Sequence, residues 1–197
     1  MVREMTERKT IVVYGASSPN VEKVFHDAAY RLGTLMAASG RTIVTGGGVS
    51  GLMAAVEEGS LDNGGHVIGI IPEFMVKNGW MHAGLSEVIM TRDMHERKER
   101  MAGMADAVVA LPGGTGTLEE LLEIITWKML DLFTKPIVIL NTDGYYDPLL
   151  QMLDRAVERK FMNAAFLGAW NVAETPEQVM DIIGNVGEWA CSVNKYN

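Results

Sequence analysis

The chain reads as a single α/β domain, a Rossmann-like doubly wound parallel sheet, and three observations predict it. Short β-branched runs alternate with longer segments of helical period, most of these runs are apolar throughout, and three end in small or glycine-rich turns that lead into a helix. Strands apolar at every position are buried on both faces, as in a parallel sheet covered by helices on each side. The 197 residues suit one domain, expected over 1–197, with core enough to need no disulfide or metal staple.

The elements follow in order. TIVVYG (10–15) is the first strand, a helix runs from about Asn20 to Ala38, TIVTGG (42–47) is the second strand, a helix covers about Gly51 to Leu61, and HVIGII (66–71) is the third strand. The segment PEFMVKNGWMHAGL (72–85) then reads as irregular. It is longer than connections in compact domains usually are, and its Phe74, Trp80 and two methionines are more than a solvated linker needs, so it predicts a lid or an interface loop. The alternative is a loop packed on its own domain. SEVIM (86–90) is a strand, 93–104 a helix, ADAVVALPGG (105–114) a strand with its turn, 117–132 a long helix and PIVILN (136–141) a strand. Helices at 147–158 and 176–189 and a strand at AWNVA (169–173) complete the pattern.

Charge and composition exclude several classes. Acidic residues number 25 against 17 basic ones, a formal charge of -8, which is the wrong sign for a protein whose main partner is nucleic acid. No uncharged apolar run approaches the roughly 18 residues that span a bilayer, so no membrane partner is expected. The lone Cys191 and the polar opening MVREMTERKT point to a reducing compartment and no signal peptide, hence the cytoplasm. His26, His66, His82 and His95 lack metal-ligand spacing, and no metal is expected. Ser17 and Ser18 lack the nucleophile-elbow pattern, and the fourteen methionines read as core filler.

The three turns GASSPN, GGGVSG and PGGTGT fall at the carboxyl edge of the sheet, where open α/β sheets bind ligands, so they should build one crevice. GGGVSG (46–51) formally matches G-x-G-x-x-G, but the acidic residue expected about 20 positions on is Glu73, behind Pro72. A tight strand-to-helix turn explains these glycines equally well. In PGGTGTLEE (112–120), Gly113, Gly114 and Gly116 let several N–H groups converge at a helix N-terminus, a site for phosphate. Thr117 and Glu120 have the spacing of a capping box, which is the structural alternative.

A helical wheel of 117–132 puts Leu118, Leu121, Leu122, Ile125, Met129 and Phe133 on one side, with Ile124 and Trp127 on the other beside Glu120 and Asp131. This helix is apolar on two faces. Glu120 is expected at the mouth of a partly dry site, and the Ile124–Trp127 face should meet either the loop 72–85 or another subunit; a dimer that covers it is the expectation. Thr126 falls in the apolar arc, either as a back-bonded core threonine or as a ligand contact. On the helix at 93–104, Arg97 and Lys98 share the inward arc with Met94 and Met101, and buried cations need an anion. An internal salt bridge for Arg97 and snorkelling for Lys98 stand against a phosphorylated ligand.

With these residues in place, the sequence resembles the LOG (LONELY GUY) phosphoribohydrolases, which release the base from cytokinin riboside 5′-monophosphates and carry a lysine decarboxylase label in many bacteria. P-G-G-x-G-T-x-x-E is matched at Pro112, Gly113, Gly114, Gly116, Thr117 and Glu120, and M-H-x-R-K at Met94, His95, Arg97 and Lys98. GGGVSGLM (46–53), GGHVIGIIP (64–72) and DGYYDPLL (143–150) extend the likeness over nearly the whole chain. The resemblance implies a homodimer without a redox cofactor, with Arg97 and Glu120 catalytic. It further implies that Lys98, Gly113, Gly114, Thr115, Gly116, Thr117, Leu118, Glu119 and Thr126 contact the nucleotide, and that the decarboxylase label misleads. Ser17 and Gly47, in the other two turns, join them as expected substrate contacts. GASS (15–18) stands where the family usually has C-G-S-S, and Thr115 where plant members usually carry tyrosine, so the preferred base stays open.

The expected reaction is hydrolysis of the N-glycosidic bond of adenosine monophosphate or an N6-modified form. Its transition state is oxocarbenium-like, so a carboxylate near the anomeric carbon stabilises it, whereas an arginine, always protonated, binds phosphate or the departing base. Two other readings remain: a carrier that binds a nucleotide or cofactor without turnover, and an NAD-dependent oxidoreductase built on GGGVSG.

Overall fold

A computed structural model of the chain describes residues 9–189. Cys191 and most of the polar opening segment lie outside the described residues. Among the described residues seven parallel strands form one sheet: β1 (Thr10–Tyr14), β2 (Thr42–Thr45), β3 (His66–Pro72), β4 (Glu87–Thr91), β5 (Ala107–Ala110), β6 (Ile137–Leu140) and β7 (Asn171–Ala173). Their order is β4-β3-β2-β1-β5-β6-β7. The chain therefore builds outward from β1 in one direction and, after crossing back, outward from β5 in the other. Val12 pairs with Val44 on one side and Val108 on the other, and this central β1/β5 reversal is the switch point where such sheets open a crevice.

Among the described residues seven α-helices flank the sheet: α1 (Lys23–Ala38), α2 (Gly51–Leu61), α3 (Glu73–Lys77), α4 (Met94–Met104), α5 (Thr115–Met129), α6 (Asp147–Glu158) and α7 (Pro176–Asn185). Alternate residues of each strand point to opposite faces. Ile11 and Val13 pack with Leu32, Leu52, Val56 and Val179 under α1, α2 and α7, while Val12 and Tyr14 pack with Met101, Leu121, Ile125 and Tyr146 under α4, α5 and the segment after β6. The expected doubly wound, Rossmann-like α/β fold is what the chain adopts. Among the described residues no helix is long and apolar enough to cross a membrane.

Three local expectations are corrected. The stretch 72–85 is not irregular throughout: Pro72 ends β3, α3 adds one helical turn, and Met81 bridges to Gly48. Phe74 and Trp80 stay about half exposed, so this strap is pinned by backbone bonds and not by its aromatic residues. The long helix starts at Thr115, with Gly114 as its cap, so Thr117 and Glu120 form no capping box. Residues 131–135, which include Asp131 with φ of 59°, lie beyond its end.

The third correction concerns the second apolar face of α5. Ile124 is buried, and Trp127 packs within the same core as Ala169 and Trp170, because the 3-10 turn at Ala164–Ala169 folds over that side. A wheel drawn from 117–132 alone has no means of registering this cover. What α5 turns outward is Leu122, Thr126 and, just past its end, Leu130.

Candidate active site

The site is assembled by α4 and α5 at the β1/β5 switch point. Asp93 caps α4 by accepting from the Glu96 N–H at 2.9 Å, and the Glu96 carboxylate takes the Arg92 N–H at 2.9 Å and the Arg100 guanidinium. With its first turn fixed, α4 carries Arg97 and Lys98 into the interior, where they are 4% and 7% exposed. The wheel places both inward, and burial of two cations demands partners.

The partners differ. Arg97 donates through Nε to the Ile70 carbonyl at 3.0 Å and through Nη1 to Glu120 Oε1 at 3.3 Å. Lys98 Nζ is bonded to Glu119 and, at 3.1 Å, to Glu123. Burial would lower the lysine's pKa, but these two carboxylates outweigh it and hold the cation charged. Lys98 is thus consumed by ion pairs and does not line the cleft.

Glu120 is 7% exposed, and its carboxyl is pushed above the ordinary carboxylate value by burial, against the opposing pull of Arg97. The buried phenol of Tyr14, at the end of β1, is raised by burial and by the charge of Glu120. One helical turn before Glu120 lies the glycine turn. Leu118 N–H bonds the Gly114 carbonyl at 3.0 Å, which leaves the amides of the first turn of α5 without helical acceptors. Gly113 has to be glycine, since a Cβ there would lie 2.1 Å from Thr117 Oγ1. Tyr145 donates to the Gly113 carbonyl and Tyr146 to the Leu111 carbonyl, both at 2.7 Å, so the two tyrosines of DGYYDPLL pin the turn from behind.

A cleft of about 340 Å³ opens between these parts. Gly15 to Ser18 after β1, Gly114 to Thr117, Glu119, Glu120 and Arg97 line it, together with Met53, Met75 and Met94. Of the expected site residues, Ser17, Arg97, Gly114, Thr115, Gly116, Thr117, Glu119 and Glu120 come together here. Lys98, Gly113, Leu118, Gly47 and Thr126 do not. Leu118 packs against the core. Thr126 lies on the outer face, donating to the Leu122 carbonyl at 2.7 Å. Gly47, at φ of 67°, sits against Gly69.

The second glycine turn does not face the cleft because Arg97 lies in between: a Cβ on Gly46 would fall 1.6 Å from Arg97 Nη2. Glu73, the acid a dinucleotide site would need, is exposed on α3 with Lys77 at 3.6 Å. Sequence reasoning missed the three methionines, having taken all fourteen as core; Met94 beside Arg97 on the inward arc was the available signal. Among the described residues, no group of three or more metal-binding side chains occurs.

Comparison with known proteins settles the family. The profile described as "Possible lysine decarboxylase" matches residues 53–183. "Cytokinin riboside 5'-monophosphate phosphoribohydrolase LOG2" of Arabidopsis thaliana is 43% identical over 157 residues, covering 80% of this chain and 73% of its own. The chain belongs to the LOG family. The rice protein "Probable cytokinin riboside 5'-monophosphate phosphoribohydrolase LOGL2" (Oryza sativa subsp. japonica) is 41% identical over 88% of this chain and 71% of its own. Among solved structures, a molybdenum cofactor binding protein from Rippkaea orientalis superposes with a TM-score of 0.70 at 25% identity, covering 91% of this chain and 97% of its own. The curated LOG relatives are hydrolases of N-glycosyl bonds, whereas that structural neighbour is named for cofactor binding.

Proposed function

We propose that this LOG-family chain is a nucleoside 5′-monophosphate phosphoribohydrolase, cleaving adenosine monophosphate or an N6-modified form to the free base and ribose 5-phosphate. The observation that carries the reading is the buried Arg97–Glu120 pair bordering a cleft that is also lined by Gly114 to Thr117, where the first-turn amides of α5 lack helical acceptors. The phosphate binds those amides at the positive end of α5. Glu120, one turn on, then faces the sugar, where its carboxylate opposes the positive charge of the oxocarbenium-like transition state and orients the attacking water. Arg97 stays protonated throughout; it keeps part of the Glu120 population ionised despite burial and stabilises negative charge on the departing base. Met53, Met75 and Met94 give the base an adaptable apolar surface.

Lys98 acts through Glu119 and does not touch the nucleotide in this reading, and Thr126 contacts nothing in its own subunit's cleft. The dimer rests on the outward stripe of Leu122, Thr126 and Leu130, since Ile124 and Trp127 are covered within the chain. Sedimentation near twice 21.6 kDa is the expected result. A cytoplasmic location rests on the single cysteine of the sequence, which suits a reducing compartment.

The name of the Rippkaea neighbour favours one second reading, a carrier that binds without turnover. Incubating the purified protein with adenosine monophosphate and following free adenine decides between them. Release of adenine and ribose 5-phosphate in equal amounts supports hydrolysis, and saturable binding with no release supports the carrier.

A further inference from the structure

The second glycine turn, set aside as a ligand contact, has a different partner on each side. On α2, the fully buried Glu57 accepts from Thr45 Oγ1 at 2.5 Å, and Thr45 Oγ1 in turn accepts from the Gly47 N–H at 3.0 Å. On the outer side, the Gly47 carbonyl accepts from the His82 N–H at 2.9 Å and Val49 N–H bonds the Trp80 carbonyl at 3.0 Å, which fastens the strap that carries Met75 to the cleft. On the inner side, Gly46 lies flat against the Arg97 guanidinium, with no room between them for a methyl group. Thr45 and the turn that follows it thus link a buried acid, a strap and the cation that faces Glu120.

We propose that Glu57 is a positioning residue of the site: through Thr45 it holds the Gly46–Gly48 turn where that turn backs the Arg97 guanidinium and anchors the strap at His82. The inference rests on the role given to Arg97 above. Glu57 touches no substrate and acts only through the turn.

The environment of Glu57 suits a neutral group. Its Oε2 has no hydrogen-bond partner among the described residues, and burial pushes the carboxyl up to about 8, against the pull of the Thr45 bond. His82 faces it from the strap, with Nδ1 at 3.9 Å from Oε2, but that nitrogen already accepts the Gly84 N–H at 3.1 Å. Glu58, next on α2, repels the charged form. On α1 the Tyr30 phenol is engaged by Asp62 at 3.0 Å, and β3 offers only apolar residues and glycine from Val67 to Ile71. An ionised Glu57 would have one hydroxyl to satisfy it and an orphaned second oxygen, so ionisation favours release of the turn.

The test compares wild type with Glu57→Gln and Glu57→Ala. Arg97 Nε–H, bonded to the Ile70 carbonyl, is followed by NMR; turnover of adenosine monophosphate is followed from pH 6 to pH 9.5. Wild type should lose activity as the pH rises through about 8; the neutral glutamine should keep kcat within about threefold at pH 7 and lack that alkaline fall, while alanine should lower kcat about tenfold or more with little change in KM. The Arg97 signal should stay slowly exchanging in wild type and Glu57→Gln and become fast in Glu57→Ala. If Glu57→Ala folds poorly, Thr45→Val breaks the same link. An alkaline limb unchanged in Glu57→Gln, or an Arg97 signal unmoved by either disrupting variant, overturns the proposal. Should wild type release no adenine, the hydrolase reading fails, while the Arg97 signal still decides whether Glu57 positions that side chain.

Discussion

The two helix pairs nearest the centre of the sheet cover opposite faces and are joined in opposite ways. α1 and α2 meet backbone to backbone: a Cβ on Gly33 would lie 2.2 Å from the Val56 carbonyl oxygen, and one on Gly59 would lie 2.0 Å from that of Tyr30. α4 and α5 are joined by long charged side chains, Arg97 to Glu120 and Lys98 to Glu119 and Glu123. Close packing of the first kind gains dispersion and apolar burial and leaves no space for a ligand. Joining of the second kind gains little net stability, since desolvation offsets most of the attraction, but it holds two walls apart with a cleft between them. Within the charged pair the same contrast recurs: Lys98 is saturated by two carboxylates, whereas Arg97 and Glu120 border the cleft.

If that contrast is functional, damage should sort by face. The largest effect is expected for Glu120→Gln, which keeps size and removes charge: kcat for adenosine monophosphate should fall about 10²- to 10³-fold with nucleotide binding retained. Retention of more than about a tenth of wild-type kcat, under about 1.4 kcal/mol in the barrier, would remove the assigned role. Next comes Arg97→Ala. Without the cation that lowers it, the Glu120 pKa rises further, so the ionised fraction at neutral pH shrinks and the acidic fall in activity moves to higher pH. A pH–rate profile whose acidic limb stays in place would show that the two groups are not coupled in catalysis.

The other face should answer differently. Gly59→Ala forces a methyl group onto the α1 backbone and should cost about 1–3 kcal/mol, a Tm drop of roughly 2–4 °C per kcal/mol at this chain size, with kcat unchanged at a temperature where the protein stays folded. A loss of kcat without a loss of Tm would break the division of labour. Smallest is Lys98→Met. Because the lysine is already paired and lies outside the cleft, KM for adenosine monophosphate should move only a few-fold, far less than in Arg97→Ala. An equal rise in KM in both variants would restore Lys98 as a nucleotide contact.

Much of this is legible in the chain itself. Apolar strand runs and glycine turns locate the sheet and its switch point, and the helical wheels turn Arg97 and Lys98 inward and set Glu120 on the second apolar face of its helix, at the mouth of a partly dry site, because charge placed beside apolar residues is visible as a pattern. What the pattern does not carry is the identity of the partner across the gap. Nothing local to α4 distinguishes Arg97 from Lys98; the difference arises because Glu119 and Glu123 sit one turn apart on α5 and reach the lysine together. Similarly, Ile124 and Trp127 read as an uncovered face because their cover, the 3-10 turn at Ala164–Ala169, comes about 40 residues later and has no periodicity of its own. The one-turn α3 is too short to show a helical period, and no motif in the sequence marks Glu57 until Thr45 is seen beside it.

The central claim is that phosphate binds the α5 amides while the sugar meets the Arg97–Glu120 pair, and a crystal structure of Glu120→Gln soaked with adenosine monophosphate tests it most directly. The expected result is an intact nucleotide, its phosphate within hydrogen-bond distance of backbone N–H groups between Gly114 and Thr117, and its anomeric carbon facing the substituted side chain at position 120 beside the Arg97 guanidinium. A nucleotide whose phosphate is held elsewhere, or whose anomeric carbon points away from position 120, would contradict it.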